Sequence, residues 1–355
     1  MSQAINHHRR RFLSAAAMTF AAAPFSMFGS PVRVPIEGEL PTLHGATTWL
    51  NSEPLTKNGL HGKVVVVDFW TYTCINWRRS LPYVRAWADR YRAHGLVVIG
   101  VHAPEFGFEH DIDNVRQAAK AMMIDYPIAI DNDYAIWRSF ENQFWPALYF
   151  IDEKGRIRHH KFGEGDYDQS EAVIQNLLTE AGAGGLGSGL APVNPAGPEV
   201  AADWFDLKSD ENYLGYERTE NFASPGGAVT NKSHAYVLPK DLKLNHWALA
   251  GDWTAGKQAI RLNAANGRIA YQFHARDLHL VVGPAANGTL VRFRVFVDGQ
   301  APGASRGTDV DEIGQGTITG PRMYHLIRQP EPITDRQFEI QFLDPGAEAF
   351  SFTFG

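Results

Sequence analysis

The chain of 355 residues contains one cysteine. That scarcity excludes an intramolecular disulfide and any cysteine-rich metal site. There is no excess of basic residues either: 33 lysines and arginines face 39 acids, for a net charge of −6. A nucleic-acid-binding surface needs the opposite balance, so no nucleic-acid partner is expected. No uniformly apolar run reaches about 18 residues, which excludes a multi-pass membrane domain. The fourteen histidines fall in no His/Asp/Glu spacing that suits a metal, and neither a metal nor another cofactor is expected. What is present, 44% hydrophobic and 20% charged residues, describes a globular protein long enough for two domains.

The first segment reads as an export signal. Arg9-Arg10-Arg11-Phe12-Leu13 precedes a mildly apolar, alanine-rich stretch that ends in Ala21-Ala22-Ala23. A basic start, a short apolar region and small residues make a signal peptide, and Arg-Arg-x-Phe-Leu is the core of the twin-arginine type. The expectation is a signal over residues 1–23, an extended proline-rich segment over 24–45, and an extracytoplasmic, periplasmic mature chain without a transmembrane domain. A chain with one cysteine has no disulfide to form after export and can fold before it crosses.

Residues 46–181 alternate strands and helices. Lys63–Trp70 (KVVVVDFW) suits a strand covered on both faces. Arg78–His94 carries helical periodicity and stops at Gly95, a C-cap; Leu96–Val101 is a second buried strand. Asp111 caps a helix running to about Met123. Pro127–Ile130 predicts a strand, Tyr134–Glu141 a short helix, and Ala147–Asp152 with Arg156–Phe162 a hairpin turning at Gly155. Asp168-Gln169-Ser170-Glu171 has the spacing of a capping box and opens a helix to about Glu180. Residues 182–198 hold six glycines, three prolines and no charge before Glu199, the composition of a flexible linker. Residues 199–355 then carry short alternating strands: Arg268–His274, Asp277–Val282, Leu290–Asp298, Met323–Gln329, Gln337–Leu343 and Ala349–Phe354, the last with Phe350, Phe352 and Phe354 on one face. This pattern predicts an all-β sandwich or jelly roll.

Cys74 stands where the first strand ends and a helix starts. Unpaired N–H groups and the helix dipole there favour thiolate over thiol. Trp145-Pro146 immediately precedes a strand, and an X–Pro bond takes the cis form readily. These features resemble the thioredoxin superfamily, in its TlpA-like extracytoplasmic branch. The strand ending in Phe69-Trp70, Cys74 with Pro82 eight residues on, the inserted segment Asp111–Ile130, and Trp145-Pro146-Ala147-Leu148-Tyr149-Phe150-Ile151-Asp152 carry the resemblance. Phe69-Trp70-Thr71-Tyr72-Thr73-Cys74-Ile75-Asn76, His102-Ala103-Pro104-Glu105-Phe106 and Phe162-Gly163-Glu164-Gly165-Asp166-Tyr167 are similar to the soluble part of DipZ proteins of cytochrome c biogenesis. Asn221-Phe222-Ala223-Ser224-Pro225, Gly251-Asp252-Trp253-Thr254 and Phe342-Leu343-Asp344-Pro345-Gly346 are similar to that family's C-terminal β domain. The family's CxxC is here Cys74-Ile75-Asn76-Trp77, and Trp77 cannot resolve a mixed disulfide as a second cysteine would.

The resemblance implies an α/β thioredoxin fold followed by the β domain, Cys74 as nucleophile, and Pro146 as the substrate loop; the bulky Trp77 and Trp145 are candidates to line the groove there. Glu105, after the second strand, is a candidate proton acceptor. The expected chemistry is monothiol: Cys74 acts on a protein or small-molecule thiol or disulfide and an external thiol regenerates it. The alternatives are a catalytically silent binding module and a one-cysteine peroxidase. Thr71, three residues before Cys74, echoes the peroxidase spacing, but Val67 stands where that family places a proline. For the β domain, Trp247, Trp253, Tyr213 and Tyr216 are candidate carbohydrate-binding aromatics, and burial of both tryptophans would remove the main support for that partner.

Overall fold

The computed structural model describes residues 35–286 and 288–355. The expected signal peptide, and the first part of the extended segment after it, lie outside the described residues. Residues 35–181 carry, in order, β1 (Gly38–Glu39), β2 (Thr48–Leu50), α1 (Lys57–Leu60), β3 (Val64–Trp70), α2 (Ile75–Tyr91), β4 (Leu96–His102), α3 (Ile112–Ala121), β5 (Ile128–Ile130), α4 (Ala135–Ser139), β6 (Ala147–Ile151), β7 (Arg156–Phe162) and α5 (Tyr167–Glu180). The strands form one mixed sheet in the order β1-β7-β6-β3-β4-β5-β2. β3 pairs in parallel with β4 and antiparallel with β6. This is a thioredoxin fold.

Strand alternation decides where the chemistry falls. β3 is buried along its whole length. Val65, Val67 and Phe69 pack on one face of the sheet with α4 residues Ile136 and Trp137. Val64, Val66 and Trp70 pack on the other with α2 and α5. Asp68 lies between Val66 and Trp70 in the same alternation, and so enters the α2 side as the one acid of an otherwise apolar strand.

Two local expectations change. The periodicity places the start of α2 at Arg78, yet the helix begins at Ile75 with Cys74 as its N-cap residue. The residues that precede the apolar stripe complete the first turn. The capping box at Asp168 does not form: α5 starts at Tyr167 behind Asp166, which makes no side-chain cap bond. Glu171 turns inward instead. Its carboxylate accepts from Trp87 Nε1 (3.0 Å), the Tyr91 hydroxyl (2.6 Å) and the Ala191 amide (2.6 Å). These buried donors outweigh one exposed amide at a helix end.

The last of those donors belongs to the Gly/Pro segment, which is no free tether. Arg90 Nη2 donates to the carbonyls of Leu186 and Ser188, and Gln175 Nε2 to that of Gly189. Leu186 and Ala191 pack on the α2 side of the core. Past it, Arg85 Nη2 meets Glu199 Oε2 at 2.8 Å.

The remaining strands are β8 (Asn212–Tyr213), β9 (Ser233–Tyr236), β10 (Trp247–Ala255), β11 (Ile260–Leu262), β12 (Arg268–Phe273), β13 (Asp277–Pro284), β14 (Val291–Val297), β15 (Gln315–Ile318), β16 (Arg322–Arg328), β17 (Arg336–Phe342) and β18 (Ala347–Phe354). They form one curled, eleven-stranded sheet around a single apolar core, a β sandwich open as a half-barrel. β10 passes between its leaves. Trp247–Ala250 pair with β12, whereas Gly251–Ala255 pair with β9 and β11. The change of direction falls at Gly251, whose φ is +95° and whose missing Cβ would stand 3.0 Å from the backbone of Gly267.

Trp247 and Trp253 are both fully buried in this core. Trp247 Nε1 donates to the Glu220 carbonyl and Trp253 Nε1 to the Ala250 carbonyl. The carbohydrate reading thereby loses its two leading aromatics, which the core uses as filler. The three phenylalanines of β18 also divide. The pairing of β13 with β18 slips between Val281↔Ser351 and Val282↔Ala349, a bulge that leaves Phe350 without an opposite residue. Phe352 and Phe354 face the sandwich core. Phe350 faces the other way and packs with Ile75, Phe106, Val281 and Met323.

Candidate functional site

Cys74 lies at the end of the turn that follows β3, its amide N–H donating to the Thr71 carbonyl at 3.2 Å. As the N-cap of α2 it has extended backbone angles and caps no amide with its side chain. Cys74 is 8% exposed. Across from it, the Trp145–Pro146 peptide is cis, and Sγ contacts the Trp145 carbonyl at 3.8 Å. Two influences therefore act on the sulfur. The open N–H groups of the first helical turn stabilise a thiolate, while the carbonyl favours the thiol as a donor. Pro146 itself is buried, and its carbonyl accepts from the Gly163 amide, so the loop is fixed to the end of β7. Cys74, Trp145 and Pro146 thus meet as the sequence indicates.

Trp77 does not line an open groove. It is fully buried and stacks on Trp70 with ring centroids 4.4 Å apart. Its Nε1 donates to Asp68 Oδ2 at 2.9 Å. Burial pushes the Asp68 carboxyl up to about 7, against the lowering effect of that hydrogen bond. An indole thus fills the core on the α2 side of β3 and caps a buried acid there.

Glu105, the candidate proton acceptor, is held by the β domain. Its Oε1 accepts from the Tyr213 hydroxyl at 2.7 Å and from Arg218 Nη1 at 3.2 Å, both in the β domain. Glu109, in a 3-10 turn over Gly107–His110, is hydrogen-bonded to the thiol turn itself. It is fully buried. Thr73 Oγ1 donates to Glu109 Oε1 at 2.6 Å, and the amides of Glu105 and Phe106 donate to Oε2 at 2.6 and 2.9 Å. Burial raises its carboxyl to about 7 despite these donors. Sequence reasoning passed over both Asp68 and Glu109. The signal for Asp68 is an acid inside a strand buried on both faces. For Glu109 it is a carboxylate three residues after Phe106, able to reach back to that residue's amide.

His102 ends β4 between the rings of Trp70 and Tyr72. Burial pushes it down to about 3, so it is neutral at physiological pH and stores no proton. Of the hairpin histidines, His160 is exposed and bonded to Glu37 Oε2 at 2.6 Å. Among the described residues no three His, Cys, Asp or Glu side chains are grouped to hold a metal ion.

A lone thiol at a helix N-terminus, opposite Pro146 on a mixed sheet of this order, defines a thioredoxin-fold protein that is like the thiol-disulfide oxidoreductases. The chain belongs to the thioredoxin superfamily, in the TlpA/ResA-like branch. Residues 39–160 match the AhpC/TSA family and residues 209–355 the thioredoxin-like C-terminal domain. Protein DipZ of Mycobacterium tuberculosis is 36% identical over 322 residues, which are 90% of this chain and 43% of DipZ. The chain therefore spans less than half the length of that relative. The thiol-disulfide oxidoreductase YkuV of Bacillus subtilis is 30% identical over 141 residues, 40% of this chain and 95% of YkuV. A solved thioredoxin-like protein in its oxidised form covers 40% of this chain and 96% of its own, at 31% identity and a TM-score of 0.38.

Proposed function

We propose that the mature chain is an extracytoplasmic, periplasmic monothiol member of this family, exported through the twin-arginine motif at Arg9-Arg10. Cys74 as thiolate attacks one sulfur of a substrate disulfide and forms a mixed disulfide. The substrate's other sulfur leaves as thiolate and takes a proton. An external thiolate then attacks the substrate's sulfur in the mixed disulfide: a disulfide forms between that sulfur and the external thiol, the bond to Cys74 breaks, and Cys74 leaves as thiolate. The Trp145–Pro146 loop holds the substrate chain opposite Cys74. The observation that carries this reading is the placement of Cys74 at the α2 N-terminus against that loop, with the second cysteine's place occupied by Trp77. No cofactor is called for, because each step exchanges one sulfur for another.

The decisive test is the pH dependence of Cys74 alkylation by iodoacetamide. Half-maximal reactivity well below the value of about 8.5 for a free cysteine is expected. Stoichiometric mixed disulfide with a model disulfide should then form, and Cys74→Ser should abolish it. A normal or raised midpoint with slow labelling would transfer the lead to a second reading. There the fold only binds its partner, as the low exposure of Cys74 and its carbonyl contact favour. Replacement of Arg9 and Arg10 by lysine should leave the uncleaved chain in the cytoplasm, and normal export of that variant would remove the twin-arginine assignment.

A further inference from the structure

The thiol has two flanks, and the molecule treats them differently. On one stands the Trp145–Pro146 loop. The side chains next to it there, Phe144 and Phe162, are exposed and lie 4.9 Å apart. On the other stands the residue that follows the thiol, Ile75, and it is closed off by the β domain. Phe350 reaches it from the β18 bulge, with Val281 and Met323 beside it and Phe106 completing the cluster. Phe350 also meets the Phe108 ring at 4.7 Å.

Polar contacts seal the same seam. Tyr213 and Arg218 hold Glu105, and the Arg218 guanidinium lies over the Tyr213 ring at 3.4 Å. The Leu214 amide donates to the Phe350 carbonyl, so the segment carrying these two residues is fastened to the bulge itself. One helical turn further on, Arg79 is buried. It donates to the Phe354 carbonyl at 2.8 Å and pairs with Glu164 at 3.1 Å. A bulge that turns one phenylalanine out of a sheet's own core gives up its burial there. That loss is offset only by what the side chain meets outside.

We infer that the β domain is a wall of the thiol site, built by Phe350, Tyr213 and Arg218, that selects Cys74's partners by width. A small thiol or disulfide, or an extended peptide segment lying along the Trp145–Pro146 flank, reaches the sulfur. A disulfide embedded in a folded surface does not, because such a surface needs both flanks free. The inference concerns access and holds whether or not Cys74 turns over a disulfide.

The test labels the full chain, in which Cys74 is the only cysteine and every label reports on it. N-ethylmaleimide and a maleimide carrying a long polyethylene glycol chain present the same reactive group at two widths. The ratio of their rates on the native protein is compared with the ratio on the urea-unfolded chain. The wide reagent is expected to be slowed at least about tenfold more than the narrow one in the native state, as for a site guarded without global opening. Phe350→Ala should recover most of that factor while changing the narrow reagent's rate less than about twofold. The milder pair Tyr213→Phe and Arg218→Gln leaves the apolar cluster intact, and decides the matter where Phe350→Ala does not fold. Its ratio should move the same way by a smaller factor. A native ratio equal to the unfolded one, or a ratio unmoved in a variant with native circular dichroism, overturns the inference.

Discussion

Asp68 and Glu109 are both fully buried carboxyls beside the same thiol turn, and burial raises both to about 7. Their partners differ in kind. Glu109 accepts from three donors, two of them main-chain amides, and ties the Thr73 hydroxyl to the turn at Glu105–Phe106. Asp68 accepts from the indole of Trp77 through Oδ2, while Oδ1 is buried with no hydrogen-bond partner among the described residues. The first acid organises backbone around Cys74. The second depends on a single side chain, at the position where a dithiol relative carries its second cysteine. Equal burial thus gives two carboxyls of similar acidity and different structural consequence, and the difference is set by the count and type of donors rather than by depth.

The sharpest way to break this comparison is to put the cysteine back. Trp77→Cys creates a CxxC but removes an indole stacked on Trp70 and the one hydrogen bond to Asp68. Large-to-small core changes of this size cost about 3–5 kcal/mol. The variant should therefore show a much lower urea midpoint than the parent in the reduced state, with Asp68 more reluctant to ionise. A parent-like midpoint would mean that Trp77 is not a packing element of this core. Next in size is Glu109→Ala. It orphans three donors at a cost of about 1–3 kcal/mol for each one left dry, so roughly 2–4 kcal/mol once water relieves some of them. Its unfolding midpoint should fall, and Cys74 should alkylate with altered kinetics because Thr73 loses its anchor. Unchanged labelling together with a lowered midpoint would confine Glu109 to stability.

The thioredoxin half was legible because its signals are local and redundant. Four valines marked β3, Gly95 (φ +96°) closed the α2 segment, Gly155 turned the hairpin, and the Trp145-Pro146 peptide is cis as expected. The β domain's class was legible from alternation alone. What stayed hidden depends on tertiary partners. The outward turn of Phe350 follows from a bulge of one residue, and nothing in the local sequence of β18 distinguishes a bulged register from a regular one. Glu171 has the spacing of a capping residue, and only the approach of Trp87, Tyr91 and Ala191 turns it inward. Trp77, Trp247 and Trp253 carry chemistry that suits a groove or a sugar. Their burial is decided by volume left in the core, which no single-residue reading supplies.

The smallest effect, taken per pH unit, separates the two acids without a large change in packing. Asp68 and Glu109 rise from ordinary values of 3.8 and 4.5 to about 7. Between those limits the folded state holds protons that the unfolded chain has released. Each carboxyl's contribution is complete below its unfolded value and is lost as pH rises through about 7, by at most about 1.4 kcal/mol per pH unit. His102 and His279 act in the opposite sense. Burial holds both below their ordinary 6.5, and what they contribute is lost as pH falls. The absolute stability curve is therefore flattened between about pH 4 and 6.5, and the informative quantity is the difference between variant and parent. Asp68→Asn removes one carboxyl while keeping an acceptor for Trp77, and Glu109→Gln removes the other. Each variant, measured by urea unfolding at several pH values from 4.5 to 8, should gain on the parent steadily as pH rises. Asp68→Asn should begin to gain at the lower pH, since the Asp68 window opens at 3.8 and the Glu109 window at 4.5, while both gains level off above about 7. Parallel curves for parent and Asp68→Asn would show that the Asp68 carboxyl is ionised across this range, and the pairing with Trp77 would then have to be that of a charged group.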